Sequence, residues 1–255
     1  MLQKIDGRDG NMVERWGTVA ELWRYPVSSL RGERIGTAPL DTHGVLHDRG
    51  WGLIDETGSV AAPETERRWR FVPDMLARIG KTGVEISTDG TEWLAVASKA
   101  ATAAASERAG FPVTFRPLAI TTETTSAAQA APRYDRGHLH ILTTASLRSL
   151  ADLLSPEALV DVRRFRPNIV IDMDRAEAGF PDRQLIGKQL RIGDALVAVK
   201  EPCERCSFTA LAQGELPFAK DVLHAIARHG GGGFGVLASV IETAPIRDGD
   251  PVRLI

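Results

Sequence analysis

Only two cysteines, Cys203 and Cys206, occur in the 255 residues. That is too few for a disulfide framework, and a reducing compartment would open a lone disulfide in any case. It is also half the usual complement of an iron–sulfur cluster, so none is expected. No stretch approaches the roughly 18 apolar residues of a membrane span. The polar opening Met1 to Glu14 has no apolar centre of a secretion signal. The cytoplasm is therefore the default location, with no membrane partner. Met12 opens MVERWGTVAEL, which reads as a natural start, so Met1 and Met12 compete as start codons. Residues 1–15 read as a disordered tail. Neither sign of charge dominates: Lys and Arg total 31 against 33 Asp and Glu, a net charge of −2. With no long basic run, nucleic acid is not an expected partner. No GxGxxG follows a strand and no Walker motif occurs, so nucleotide cofactors find no support.

Short β-type runs punctuated by turns dominate what is present. They fall at Val19–Val27, Trp51–Ile54, His140–Thr143, Asn168–Asp172, Ala195–Val199, Gly235–Ile241 and Val252–Ile255. Two similar turns, Ile192-Gly193-Asp194 and Asp248-Gly249-Asp250-Pro251, each precede an apolar run. Helices are fewer. Ser146–Leu154 aligns Leu147, Leu150 and Leu154, with Thr144 or Ser146 as cap. Phe218–Arg228 aligns Phe218, Val222, Ala225 and Ile226, with Gly230 as terminator. Glu64–Leu76 is a third, ended by Pro73. Ala101–Pro132 is weakly patterned and reads as connecting loops. The fold class is mainly β (α+β), built on a β-barrel.

Four constellations can carry chemistry. Glu201-Pro202-Cys203-Glu204-Arg205-Cys206 sits at a strand exit. Thiolates are soft ligands for molybdenum, zinc or copper(I), and Arg205 beside Cys206 favours the thiolate form. A zinc site, a dithiol redox motif and two buried structural cysteines stay open as alternatives. Arg163-Arg164-Phe165-Arg166-Pro167-Asn168 precedes an apolar strand. Arginine there can grip a phosphate in bidentate fashion. Arg163 and Arg164 read better as partners of surface acids, whereas Arg166 abuts the apolar run. Tyr25-Pro26-Val27-Ser28-Ser29-Leu30-Arg31-Gly32 is an anion-binding loop or a plain turn. Asp48-Arg49 is a surface ion pair or a site element. The glycines Gly230–Gly233 read as a flexible loop or a place of close backbone approach.

Together these segments resemble the MOSC family, in particular proteins with an N-terminal MOSC β-barrel subdomain such as the amidoxime-reducing component and its bacterial relatives. The resemblance runs in order through LWRYPVSSLRG, HDRGWGLID, HILTTASLRSL, RFRPNIVI, LIGKQLRIGD, EPCERCSFT and IRDGDPVRLI. It implies a smaller N-terminal barrel subdomain over 16–100 and a MOSC domain over 101–255, with 101–132 connecting them. It implies a molybdenum cofactor, a pterin dithiolene bearing a phosphate, with Cys206 as the metal ligand. Arg205, Arg166, Asn168, Arg49, Ser29, Thr143 and Thr144 fall where the family contacts that cofactor. Relatives often carry lysine where Ser28 stands, and Arg31 is the cation within reach. The implied activity is reduction of N-oxygenated compounds such as amidoximes and hydroxylamines. Electrons would come from a separate protein: a ferredoxin, a flavoprotein or a small haem protein. A cofactor-binding or sulfur-transfer module without reductase activity is the alternative.

Overall fold

The computed structural model describes residues 14–119, 129–131, 138–156, 159–174 and 177–255. Seven strands close into a barrel. In spatial order they are Ile169–Met173, Leu139–Thr143, Gly233–Glu242, Ala195–Glu204, Gln189–Ile192, Pro251–Leu254 and Glu14–Arg24, which returns to pair with the first. Closure leaves no open sheet edge. Neighbours are antiparallel except Leu139–Thr143 with Ile169–Met173. That parallel pair needs a crossover, and helix α2 (Thr144–Asp152) lies in it. Inward-facing Leu22, Ile141, Ile171, Val197, Val236 and Val252 fill the interior. All seven strand expectations fall on strands, and the two glycine turns place Gly193 and Gly249 in left-handed backbone.

Glu14 already belongs to the first barrel strand, so the expected tail ends before residue 15. The rest of that tail lies outside the described residues. The expected helix over Glu64–Leu76 is instead two 3-10 turns, Arg67–Trp69 and Val72–Asp74. Buried Trp69, Val72 and Met75 recur every third residue, which matches the 3-10 period and not 3.6. Conversely, the weakly patterned stretch after residue 98 begins with a second helix, α1 (Lys99–Ala109). Ser98 caps it by accepting from the Ala101 N–H at 3.0 Å, and Gly110 ends it at φ 75°. Six of its eleven residues are alanine, the strongest helix former, so propensity holds it where an apolar stripe does not. The strand Val113–Pro117 follows and pairs with Trp51–Asp55. Both elements pack into a second core with Leu53, Trp69, Ile86 and Phe115, so the N-terminal unit runs past residue 100. The rest of the expected connecting region is largely outside the described residues.

A third cluster seats α2 and helix α3 (Lys220–Gly230) against the barrel through Leu150, Phe165, Val222, Ile226 and Phe234. Thr143, not Thr144 or Ser146, caps α2. Phe218 lies before α3 and is 60% exposed, not on its buried face; Gly231, not Gly230, takes the left-handed terminal position. No helix among the described residues is long and apolar enough to cross a membrane.

Candidate functional site

The first barrel strand leads into a loop that joins the two cores. Tyr25 is packed in the site, whereas Val27 and Leu30 belong to the second core. The loop meets Arg49 and the Arg163–Asn168 corner, and three strained residues cluster there. Ser29, Arg49 and Arg166 have φ of 67°, 51° and 55°, values that side-chain-bearing residues rarely adopt. Arg166 also precedes Pro167, whose ring disfavours helical backbone at that position. Strain of this kind costs on the order of 1–3 kcal/mol per residue and persists where the surroundings impose it.

The Arg166 guanidinium lies 4.2 Å from the centre of the Tyr25 ring, and that of Arg49 lies 5.1 Å from it. Arg166 donates through Nη1 to the Leu30 carbonyl. Its Nη2 and the Tyr25 hydroxyl are buried with no hydrogen-bond partner among the described residues. Burial and the like charge of Arg49 bring the Arg166 pKa down to about 10. Burial holds the Tyr25 hydroxyl above its ordinary value, against the pull of both arginines. These two orphaned donors thus line a cationic, desolvated cradle. Arg49 completes its wall: it pairs with Asp48 and donates to the Arg166 carbonyl at 3.0 Å. Asp48 and Arg49 are therefore an ion pair, with the Asp48 side chain buried and not at the surface. Asp48 in turn accepts from the Tyr25 N–H at 2.7 Å. Ser29 is buried one residue before Leu30.

The cysteine turn lies across Phe165 from this cradle. The Ala195–Glu204 strand ends after Cys203, and Cys206 precedes a 3-10 turn, Ser207–Ala210. Cys206 is exposed and Cys203 half-buried; neither forms a disulfide. Arg205 does not turn to Cys206 as its position in sequence suggests. It donates to the Cys203 sulfur at 3.0 Å, to the Phe165 carbonyl at 3.0 Å and to Thr209 Oγ1 at 3.3 Å. Burial alone would raise the Cys203 pKa. His140 and Arg205, through charge and hydrogen bonds, outweigh it and bring the thiol down to about 6. Ser207 Oγ donates to the Glu64 carbonyl at 2.8 Å, tying this turn to the N-terminal unit. Among the described residues, no group of three or more His, Cys, Asp or Glu is placed to hold a metal ion by itself.

Residues 16–129 match the MOSC N-terminal beta barrel domain and residues 132–253 the MOSC domain. The chain belongs to the MOSC family. Its sequence is 28% identical over 236 residues to a molybdenum cofactor sulfurase of Drosophila mojavensis, covering 80% of this chain and 29% of that one. It is 34% identical over 122 residues to the molybdenum cofactor sulfurase of Drosophila grimshawi, covering 45% and 15%. The chain therefore spans less than a third of the length of the curated relatives it matches. In fold it is similar to the YuaD protein from Bacillus subtilis, with a TM-score of 0.51 and 13% identity over 95% of this chain and 98% of that one.

Not every candidate residue reaches the cradle of this MOSC barrel. Asn168 is buried and does reach it: its Oδ1 accepts from Arg49 Nη1 at 3.5 Å and from the His140 N–H at 3.1 Å, while its Nδ2 donates to the Trp23 carbonyl at 3.4 Å. Thr143 is fully buried and points to Ser146 and Asp182. Thr144 instead bonds Asp172 at 2.5 Å on the exposed side of the barrel, away from both the arginines and the cysteines. Arg163 pairs with Asp161 and Glu215, as a surface arginine should. Arg164 departs from that expectation: it is fully buried and donates to the carbonyls of Leu159, Leu211 and Pro217. Arg31 donates to the Asp74 carbonyl and lies 3.5 Å from Glu215, while its Nε is buried with no hydrogen-bond partner among the described residues.

Sequence reading missed His140 and Asp182, and held Tyr25 only as part of the Tyr25–Gly32 segment. His140 sits in an apolar strand. Asp182 is buried in the barrel's flank, where burial raises its pKa to about 6 against hydrogen bonds from Ser146 and Thr143. The signal for His140 was indirect. Gly235 faces it across the sheet at φ 76°, and a Cβ there would collide with the imidazole.

Proposed function

We propose that this chain binds the molybdenum cofactor, with the arginine cradle holding the pterin's phosphate and Cys206 ligating the metal. The observation that carries this reading is the pair of buried, unpartnered donors, Tyr25 Oη and Arg166 Nη2. A phosphate offers several acceptor oxygens and negative charge, which answers both orphans and relieves the repulsion between Arg166 and Arg49. The exposed Cys206 supplies a soft donor suited to molybdenum. The residues present therefore fit the group.

When bound, the cofactor supplies two-electron oxygen-atom transfer at its metal. The protein's share is positional. Arg166 and Tyr25 bind the anionic end, Arg49 locks the Arg166 backbone, and Phe165 and Phe208 keep water from the guanidiniums. Cys206, exposed to solvent, would hold the metal through its sulfur. The activity that follows is reduction of N-oxygenated compounds, with electrons delivered by a separate donor protein.

The names of the relatives favour a second reading, a module that binds the cofactor for sulfur transfer without reducing a substrate. Expression in a host that makes the cofactor, followed by molybdenum and pterin analysis, tests binding. Amidoxime turnover with an artificial electron donor then separates the two readings. Protein with neither metal nor pterin under those conditions would overturn both.

A further inference from the structure

His140 is 5% exposed in the middle of a barrel strand, an expensive place for an imidazole unless it has partners. Every contact it makes leads to the cysteine turn or secures its own position. Its N–H and carbonyl are both bound by Asn168, at 3.1 and 2.8 Å. Its Nε2 lies 3.2 Å from the Phe234 carbonyl. A carbonyl only accepts, so this nitrogen carries the proton and the ring orientation is set. Gly235, with no Cβ, leaves the space the ring fills. The ring's charge and hydrogen-bonding capacity also bear on the Cys203 sulfur, which accepts from Arg205 at 3.0 Å.

We infer that His140 is a positioning residue that, through the Cys203 sulfur, fixes the Arg205 guanidinium beside the proposed cofactor site. Cys203 is then neither a metal ligand nor a packing residue. It is a charged bridge between a histidine on one strand and an arginine at the end of another. A sulfur that accepts from the Arg205 guanidinium, with an imidazole bearing on it as well, is favoured as the thiolate. The groups that bear on it are His140 from the Leu139–Thr143 strand and Arg205 from its own turn. Asp182 lies on the far side, where it interacts with His140. The sulfur's anchoring of Arg205 explains why the arginine leaves Cys206 alone: its three nitrogens are already matched to Cys203, Phe165 and Thr209. The functional weight of this arrangement rests on the cofactor reading, but the arrangement itself does not need the cofactor.

The test uses the cofactor-free full chain. Iodoacetamide labelling is followed from pH 5 to 10 on tryptic peptides, since cleavage after Lys200 and Arg205 puts Cys203 and Cys206 on separate fragments. Labelling of Cys203 should rise with a midpoint near pH 6. In His140→Gln the midpoint should climb by roughly one unit or more toward the ordinary thiol value of about 8.5. A merely structural histidine would change yield or melting temperature and leave the midpoint where it was. Thiolate ultraviolet absorbance in Cys206→Ser, with and without Arg205→Gln, gives the same titration without requiring reagent access, and Arg205→Gln should raise that midpoint too. A wild-type midpoint at the ordinary thiol value, or one that neither substitution moves, overturns the inference. A profile as described in a protein that never binds pterin supports it and sinks only the cofactor reading.

Discussion

The arginine corner and the cysteine turn meet at Phe165, and both gather guanidiniums around a buried group, yet they stand in opposite states. In the corner, Arg166 leaves Nη2 unmatched beside an unmatched Tyr25 hydroxyl. In the turn, Arg205 spends each of its three nitrogens on a protein acceptor. The contrast is sharper between residues two apart in sequence, because Arg164 is as deeply buried as Arg166 and fully matched to three carbonyls. An unmatched buried donor costs about 1–3 kcal/mol until something completes it. A matched one is the protein's own scaffolding. Under the proposed function the corner is where a ligand's charge would sit, and the turn is where the protein has already balanced its own.

The largest effect that would break this contrast is at the metal. Cys206→Ser should lower molybdenum content by more than about tenfold, since even outer partners of a metal ligand are worth ~10–100-fold in metal affinity. Cys203→Ser should keep the metal's visible absorption. Metal analysis of the two purified variants decides it, and the reverse pattern would exchange the roles of the two sulfurs. Next comes the cradle. Arg166→Ala should weaken pterin retention by about one to two decades, the worth of a charge-assisted contact, whereas Arg163→Ala, already paired to Asp161 and Glu215, should not. Equal pterin content in both variants at equal folded yield would remove the corner from the site.

Tyr25→Phe sharpens the comparison further. It deletes one orphaned hydroxyl and nothing the protein uses, so cofactor-free protein should be as stable or slightly more so in urea. Pterin retention should fall by only about two- to tenfold, as for a neutral hydrogen bond. A marked loss of stability without cofactor would mean that the hydroxyl serves the fold. The smallest effect belongs to the turn and to pH. The Cys203 pKa is depressed in the folded state, so its contribution to stability is complete above the unfolded thiol value. It is lost as pH falls through about 6. The urea midpoint of the wild type relative to Cys203→Ala should accordingly shrink between about pH 9 and pH 5. A difference that stays flat across that range would argue for a neutral sulfur.

The sequence by itself determined the barrel. Alternating and continuous apolar runs placed six of its seven strands, all but Gln189–Ile192, because a closed sheet with a dry interior requires that periodicity wherever it is cut. It also singled out Arg49, Arg166 and Cys206, since arginine against an apolar strand and a thiol at a strand exit are unusual enough to stand out locally. The N-terminal unit was less legible. Its helix α1 rests on alanine propensity without an apolar stripe, and its 3-10 turns bury every third residue, a pattern easily mistaken for an α-helix. Only the tertiary structure decided which arginine was finished and which was waiting. Sequence position set Arg166 apart from Arg164 but took Arg164 for a surface residue, and the fates of both depend on carbonyls supplied from residues 30, 159, 211 and 217. The same holds for Arg205, whose neighbour in the chain is Cys206 but whose partner in space is Cys203. Hydrogen-bond geometry is set by where the backbone turns, and a strand ending after Cys203 sends the two sulfurs to different surroundings, one between His140 and Arg205 and the other to solvent.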